Sequence, residues 1–487
     1  MKTAFNAYQT SNFSYQKRSF IWLRRLAIAL IVGLLCLTTL AGSLWFSARH
    51  ALAPQADEWA IRLGSGPFKL HASVPKLVWV ATHPTIGQAL AGTRWPTRYG
   101  PIELGWVPAG AEGPAPVLTL HCQPCTLPLP AGVGQRQLTV PALQVALSRD
   151  AAQPTRDVRG TLLLGAAVPQ GEGAVIHAFW HARRQGAGWD VQLRWPEAPA
   201  RHWLALLAPD MPELATAHIS GSVAAQMQVQ LPEGDIDIQP QINGLTVTGL
   251  GTERWAHART SCGPHRPLPA RHWLTRAVLA AEDQRFAEHP GYDLEELRAS
   301  LSRNQQAGAI RRGASTLTQQ LAKLMVAGPE RSLQRKLREL LYALDMERNL
   351  GKPRILQLYL SMAPWGQDAQ GRLVCGAQAA AQHYFGVPAA RLTPHQAVTL
   401  AAMLHSPGRE ARQLAAHGNV DIDRVRWIAH QVRGVPARQR RALAAALAQS
   451  HPVPGLVVQA APAMRATRTD GPSPASASPL VAARSQK

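Results

Sequence analysis

The sequence predicts a multidomain α+β chain: one transmembrane helix, then a β-rich domain, then a mainly α domain. Three observations carry this reading. An uncharged apolar run fills Leu26–Phe46, period-two alternation dominates the stretch 55–250, and i, i+3, i+4 apolar spacing takes over after residue 262. The expected divisions are a polar tail over 1–23, a membrane helix over 24–46 and a β-rich accessory domain over 55–250. A helical domain over 262–425 follows, with a helical extension and disordered tail over 426–487.

The apolar run, LAIALIVGLLCLTTLAGSLWF, is long enough to cross about 30 Å of hydrocarbon as a helix. Lys17, Arg18, Arg24 and Arg25 precede it, and Trp22 and Trp45 stand near its ends. Positive charge stays on the cytoplasmic side, so the N-terminus is expected inside and everything after residue 50 outside. A cleaved signal peptide is the competing reading. The run exceeds a signal core, and no clear A-x-A site follows.

The balance of 51 Lys+Arg against 30 Asp+Glu gives a net charge of +21 and favours anionic partners such as lipid headgroups or phosphate-bearing substrates. The cations are spread along the chain without a basic block or an RNA-binding aromatic signature, so nucleic acid is not an expected partner. Of five cysteines, Cys36 lies in the apolar run. Cys122 and Cys125 form HCQPC, with Pro128 and Pro130 arguing against a redox-type helix. No second CxxC supplies a zinc site, and a local disulfide is the expectation. Cys262 and Cys375 either pair or stay free.

In the β-rich stretch, LTVPALQVAL (138–147), AVIHAFWHA (174–182), WDVQLRW (189–195) and SVAAQMQVQL (222–231) alternate between turn residues. Arg184-Gln185-Gly186-Ala187-Gly188 reads as a hairpin loop. The stretch shows no catalytic constellation, and its His and Trp residues read as packing or surface groups. After residue 262, helices are expected over LTRAVLAAEDQRFAEH (274–289), LTQQLAKLMV (317–326), LQRKLRELLYALDMERNL (333–350) and PHQAVTLAAMLH (394–405). Pro353 begins another, as proline tolerates a first helical turn.

Three features of the helical stretch bear chemistry. Glu282 and Asp283 end an apolar run and precede Phe286, His289, Gly291 and Asp293; a carboxylate bordering an apolar face suits general base work. Next, Gly313-Ala314-Ser315-Thr316-Leu317-Thr318-Gln319-Gln320 runs into a helix carrying Lys323. Backbone N–H groups, hydroxyls and a lysine suit phosphate oxygens, though the same pattern also serves as a helix cap. Finally, Arg331, Arg335 and Arg338 fall at i, i+4 and i+7, with Lys336 and Glu339 beside them. A pyrophosphate would compensate such a stripe. A solvated basic face with an Arg335–Glu339 pair is the plainer reading.

In this order the segments resemble glycosyltransferase family 51, the transglycosylase domain of bifunctional penicillin-binding proteins and of monofunctional peptidoglycan transglycosylases. The pattern EDxxFxxHxGxD is matched from Glu282 to Asp293, GGSTxTQQLxK from Gly313 to Lys323, and RKxxExxxAxxxE from Arg335 to Glu347. KPRILQLYLSMAPWG from Lys352 and AAAQHYFG ending at Gly386 match the fourth and fifth, for coverage of about 262–410. The resemblance implies a lysozyme-like helical fold with a membrane-facing cleft, in a protein of the cell inner membrane with a periplasmic bulk. It implies that Glu282 is the general base, that Glu339 assists near the donor, and that lipid II and the growing glycan chain are the substrates. Asp283, Phe286, Ser315, Thr316, Gln319, Gln320, Lys323, Arg331, Arg335, Lys336 and Arg338 are the substrate- and pyrophosphate-binding candidates. No cofactor is required by this likeness; a divalent cation such as Mg or Mn helps some family members, and no metal-ligand cluster is visible here.

The departures are Ala314 for the second glycine of the loop, Gln357 and Ser361 for Glu and Asn of the fourth motif, Gln396 for a helical Glu, and Val387 for Lys. Too few residues follow position 410 of 487 for a penicillin-binding domain, so a transpeptidase would be a separate partner. The alternative function is a catalytically degenerate envelope protein that binds lipid-linked precursor and recruits cell-wall partners.

Overall fold

A computed structural model describes residues 2–55, 58–64, 69–110, 116–128, 137–149, 157–166, 174–186, 188–232, 235–260, 262, 267–306, 315–326, 332–449 and 452–457, with backbone only for residues 2–25 and a few others. The expected disordered tail lies mostly outside these residues.

The chain opens with a 51-residue helix, α1 (Lys2–Leu52). From Leu26 to Leu52 it has a mean hydropathy of 2.3 and buries nothing against the rest of the protein, so it is long and apolar enough to cross a membrane. It fits a single-pass anchor. A small hairpin, β1 (Ala60–Leu63) and β2 (Leu70–Ser73), leads into α2 (Val74–Ala81) and α3 (Pro84–Leu90). Both short helices take Pro in their first turn, where no backbone donor is lost.

The β-rich stretch forms one antiparallel sheet of nine strands. Its elements are β3 (Arg94–Thr97), β4 (Gly100–Val107), β5 (Val117–Cys122), β6 (Cys125–Pro128), β7 (Gln137–Val140), β8 (Ala142–Arg149), β9 (Asp157–Ala166), β10 (Ala174–Gln185) and β11 (Gly188–Pro199). Two short helices, α4 (Ala200–Leu207) and α5 (Glu213–Thr216), precede β12 (His218–Leu231) and β13 (Asp235–Thr248). The sheet order is β13-β12-β11-β10-β9-β8-β5-β4-β3, a meander interrupted by the separate β6–β7 hairpin. Gln185 pairs with Gly188 and Arg184 with Trp189, so the ladder of β10 and β11 extends into the expected loop at 184–188. Cys122 and Cys125 are disulfide-bonded at the root of the β6–β7 hairpin, as the Pro-rich context suggested.

Period two divides the sheet. Ile176, Ala178 and Ala182 of β10 are buried, while Val175 and Phe179, of the opposite parity, are exposed. Leu204 and Leu206 of α4 pack on the buried face with Leu164 and Ile176. At roughly 1.5–3 kcal/mol for each fully buried large aliphatic side chain, this half-covered face is what holds the sheet to its helices.

The second half contains α6 (Trp273–Glu282), α7 (Leu294–Gln306), α8 (Leu317–Met325), α9 (Leu333–Met362), the hairpin β14 (Pro364–Gln367) and β15 (Leu373–Cys375), then α10 (Ala377–Phe385), α11 (Pro394–Met403), α12 (Pro407–His417), α13 (Ile422–Gln431) and α14 (Ala437–Gln449). Helix α9 breaks at Gly351, whose φ is 69°, and restarts with Pro353 in the first turn of its second half. Ala397 to Met403 of α11 are all buried. The amphipathic reading of that segment is therefore corrected to a helix enclosed on every side. Cys262 and Cys375 are bonded, which the sequence had left open.

The two halves share helix α9. Leu341 and Leu344 join the core beneath the sheet, whereas Met346, Ile355 and Leu358 belong to the core of the helical half. Asp345, fully buried, accepts from the N (3.3 Å) and Oγ1 (2.8 Å) of Thr252, just after β13.

Candidate active site

Helix α6 was expected to run to residue 289, but it stops at Glu282. Asp283 adopts φ −161° because its carboxylate is needed elsewhere. It accepts from Leu317 N at 2.8 Å and from His289 Nε2 at 3.0 Å on each oxygen. Gly291 N donates to His289 Nδ1 at 3.1 Å, which leaves the ring proton on Nε2, facing Asp283. Gly291 itself sits at φ +108°, and an added Cβ would stand 3.1 Å from Glu347 Cγ and 3.3 Å from Ala343 backbone. Its carbonyl accepts from Thr316 Oγ1 at 2.7 Å.

Thr316 caps α8 in a capping box: its hydroxyl accepts from Gln319 N at 3.2 Å, and Gln319 Oε1 accepts from Thr316 N at 3.0 Å. The first turn of α8 is thus matched by Thr316 and by the Asp283 carboxylate. Phe286 is buried under Lys352, whose Nζ lies 4.4 Å from the ring centroid. Lys352 also donates to Glu347 (2.8 Å) and to the His289 carbonyl (2.7 Å), and Thr318 donates to Glu347 at 2.5 Å. Asp283, Phe286, Thr316 and Gln319, expected to meet substrate, therefore face inward. They fix the end of α6 against the start of α8, because each has its polar or apolar partner inside the protein.

Glu282 is what this scaffold presents. Its side chain is 10% exposed, with Oε1 accepting from Arg424 Nη2 at 2.9 Å and Oε2 from Gln320 Nε2 at 3.0 Å. Gln320 is oriented in turn by the Tyr359 hydroxyl, which donates to its Oε1 at 2.9 Å. Burial, and then the charges of Glu282 and Asp283, hold the Tyr359 phenol well above its usual range, so it remains a donor. Arg424 is anchored by a further bond to the Ala402 carbonyl at 3.2 Å.

Glu339, on α9, is 1% exposed and pairs with Arg335 and with Lys336 Nζ (2.7 Å). Lys336 also donates to Ser315 Oγ at 2.7 Å, which ties the hydroxyl-rich loop to this pair. The Arg335–Glu339 pair is thus buried, where the plainer sequence reading had it solvated. Lys323 is exposed near the end of α8. Arg338 is the cation that departs. Three residues from Arg335 it lies about 60° round the helix, and its Nε stands 2.8 Å from Glu213 Oε1 of α5, close enough for an ion pair though not aligned for a hydrogen bond. Of the stripe, the described residues divide: Arg335 serves Glu339, and Arg338 pairs with Glu213 of α5. Arg331, Gly313 and Ala314 lie outside the described residues.

The substituted positions are internally satisfied. Gln357 Oε1 accepts from Arg354 at 2.8 Å, buried Ser361 donates to the Leu358 carbonyl at 2.7 Å, and Gln396 completes a capping box with Thr393. Sequence reasoning missed Arg424, which stands 142 residues from its partner in a helix with no motif around it. It also left Tyr359 and Lys352 without roles, although both lie in the fourth motif. The site carboxylates are each engaged by cations or N–H donors, and no group of three or more His, Cys, Asp or Glu suited to a metal occurs among the described residues.

Comparison with known proteins agrees with this location. A family model described as Transglycosylase matches residues 261–433. A biosynthetic peptidoglycan transglycosylase of Alcanivorax borkumensis is 50% identical over 135 residues, 28% of this chain and 53% of the relative. Proteins of the same description from an Azoarcus species and from Stutzerimonas stutzeri are 40% and 43% identical over 158 and 171 residues, 32% and 35% of this chain and 66% of each relative. The chain thus spans between about half and two thirds of the length of these curated relatives.

Proposed function

The chain belongs, through residues 261–433, to the transglycosylases of glycosyltransferase family 51, and on that premise we propose that it is a peptidoglycan glycosyltransferase that polymerises lipid II. The observation that carries the reading is the setting of Glu282. A largely shielded glutamate is aimed by an amide, itself aimed by a tyrosine, and a second glutamate in the same half is held by two cations.

In the reaction, Glu282 takes the proton of the sugar 4-hydroxyl of an incoming lipid II. The freed oxygen pair attacks the anomeric carbon of the growing chain from the face opposite the leaving group. The bond to the pyrophosphate oxygen breaks with its electron pair, undecaprenyl pyrophosphate departs, and the anomeric centre inverts. Gln320 and Arg424 hold the carboxylate in line for the proton. Glu339 acts near the donor. Arg335, Lys336, Lys323 and Arg331 supply positive charge for the departing diphosphate, the largest electrostatic contribution expected at such a centre.

On this reading the N-terminus lies in the cytoplasm and the bulk in the periplasm, anchored in the inner membrane; the basic residues before Leu26 and two disulfides, which persist in oxidising compartments, support it. Cross-linking of the product falls to a separate transpeptidase partner.

The test is to incubate detergent-purified protein with labelled lipid II and resolve the products by length. Long glycan chains are expected from the parent, with Glu282→Gln slowing their formation about 10²–10⁴-fold. Well-folded parent protein that binds lipid II without making chains would instead establish the precursor-binding, non-catalytic role.

A further inference from the structure

A concavity of about 950 Å³ opens on the sheet, and none of its lining residues comes from the helical half. Its floor is a cross-strand row: Thr161, Phe179, Arg194, Gln226 and Gln239 stand opposite one another on β9 to β13. At about 4.8 Å between strands the row is roughly 19 Å long. It lies on the face opposite the buried Ile176, Ala178 and Ala182, and Phe179 stands 56% exposed at one of its inner positions.

The chemistry of this row is specific. A solvent-facing aromatic ring offers a flat apolar surface, matched by the C–H face of a pyranose ring. Around it, Gln228 Nε2 donates to Asp190 Oδ1 at 2.7 Å and Gln239 Nε2 to Asp237 Oδ2 at 3.0 Å. These bonds orient the amides and leave their carbonyl oxygens to accept from hydroxyl and acetamido groups. The lining carries Arg159 and Arg194 against Asp237, an excess of positive charge that complements carboxylates. The Asp237 carboxylate in the same lining opposes a uniform polyphosphate.

We propose that the outer face of the sheet binds an anionic, N-acetylated glycan strand lying across β9 to β13 over Phe179. The ligand's identity rests on the polymerase reading, since such a strand is the product of that reaction. The accessory half then holds nascent polymer while the helical half extends it.

The experiment titrates detergent-purified full-length protein with soluble, uncross-linked peptidoglycan oligosaccharides of four to eight sugars bearing stem peptides, by calorimetry. Saturable binding is expected, with Phe179→Ala and Arg194→Ala each weakening it about tenfold and neither changing the melting temperature or the initial rate of lipid II consumption. Unaltered affinity in both variants, or no saturable binding to the parent, overturns the proposal. So does equal affinity for single-stranded DNA of similar length, which would mark a generic polyanion surface. Phe179-dependent oligosaccharide binding by a protein that forms no polymer would remove the polymerase reading and leave this site standing.

Discussion

On the sheet, Gln192, Gln228 and Gln239 are exposed and bond to carboxylates on the same face, Asp190 and Asp237. In the helical half, Asp283 and Glu339 are largely shielded; Asp283 ties His289 to the start of α8, and Glu339 holds Arg335 and Lys336, the latter reaching Ser315. The difference is one of dependence. The sheet's polar surface sits on a fold already secured by its apolar underside, so it is free to be specialised for a ligand. In the helical half the bonds that aim Glu282 are also bonds that join α6, α8 and α9, so site and fold stand or fall together.

The sharpest way to break that contrast uses the two disulfides. Cys262–Cys375 closes a separation of 113 residues and Cys122–Cys125 one of 3. Chain-entropy reasoning gives about 5 kcal/mol for the long loop and about 2 kcal/mol for the short one. Cys262→Ser is therefore expected to lower the denaturant midpoint of the helical half far more than Cys122→Ser lowers that of the sheet, as read by urea unfolding. Next in size, Asp283→Ala leaves His289 and the start of α8 without their shared carboxylate and is expected to cost about 3–5 kcal/mol. Gln228→Ala on the sheet should stay within about 0.5 kcal/mol. Equal losses in that pair of variants would erase the distinction drawn above.

Between the halves, a double-mutant cycle of Arg338→Ala and Glu213→Ala is expected to return a coupling of roughly 1–3 kcal/mol in stability. Additive losses would return Arg338 to the pyrophosphate stripe. The smallest effect concerns His272, which caps α6 by accepting from Leu274 N at 3.2 Å and whose pKa burial holds below the usual 6.5. A depressed histidine binds fewer protons folded than unfolded. Its contribution is complete above about pH 6.5 and is lost as pH falls from there through the folded value. Thermal melts between pH 7 and pH 5 should show parent stability falling more than that of His272→Asn, which keeps a capping acceptor that does not titrate.

Much of the helical site is legible in the sequence because its residues sit within short segments: Glu282 with Asp283, Ser315 to Gln320, and Arg335 with Glu339. Helical periodicity brings each group onto one element. The side-chain directions are less legible. Asp283 reads as substrate-facing until Leu317 and His289 are seen to converge on it, and Arg338 reads as part of an anion stripe until Glu213 is seen beside it. Arg424 and Glu213 have no local signature, since each acts through a partner far along the chain. In the sheet, alternation announces two faces, yet which strands lie side by side decides that Phe179 and Arg194 are neighbours.

Helix α9 is a party wall between two interiors, and adjacent residues on it have different partners: Arg338 pairs with Glu213 of α5, Glu339 with the site cations. A displacement of α5 that moved Arg338 would have one peptide unit to travel before it reached Glu339.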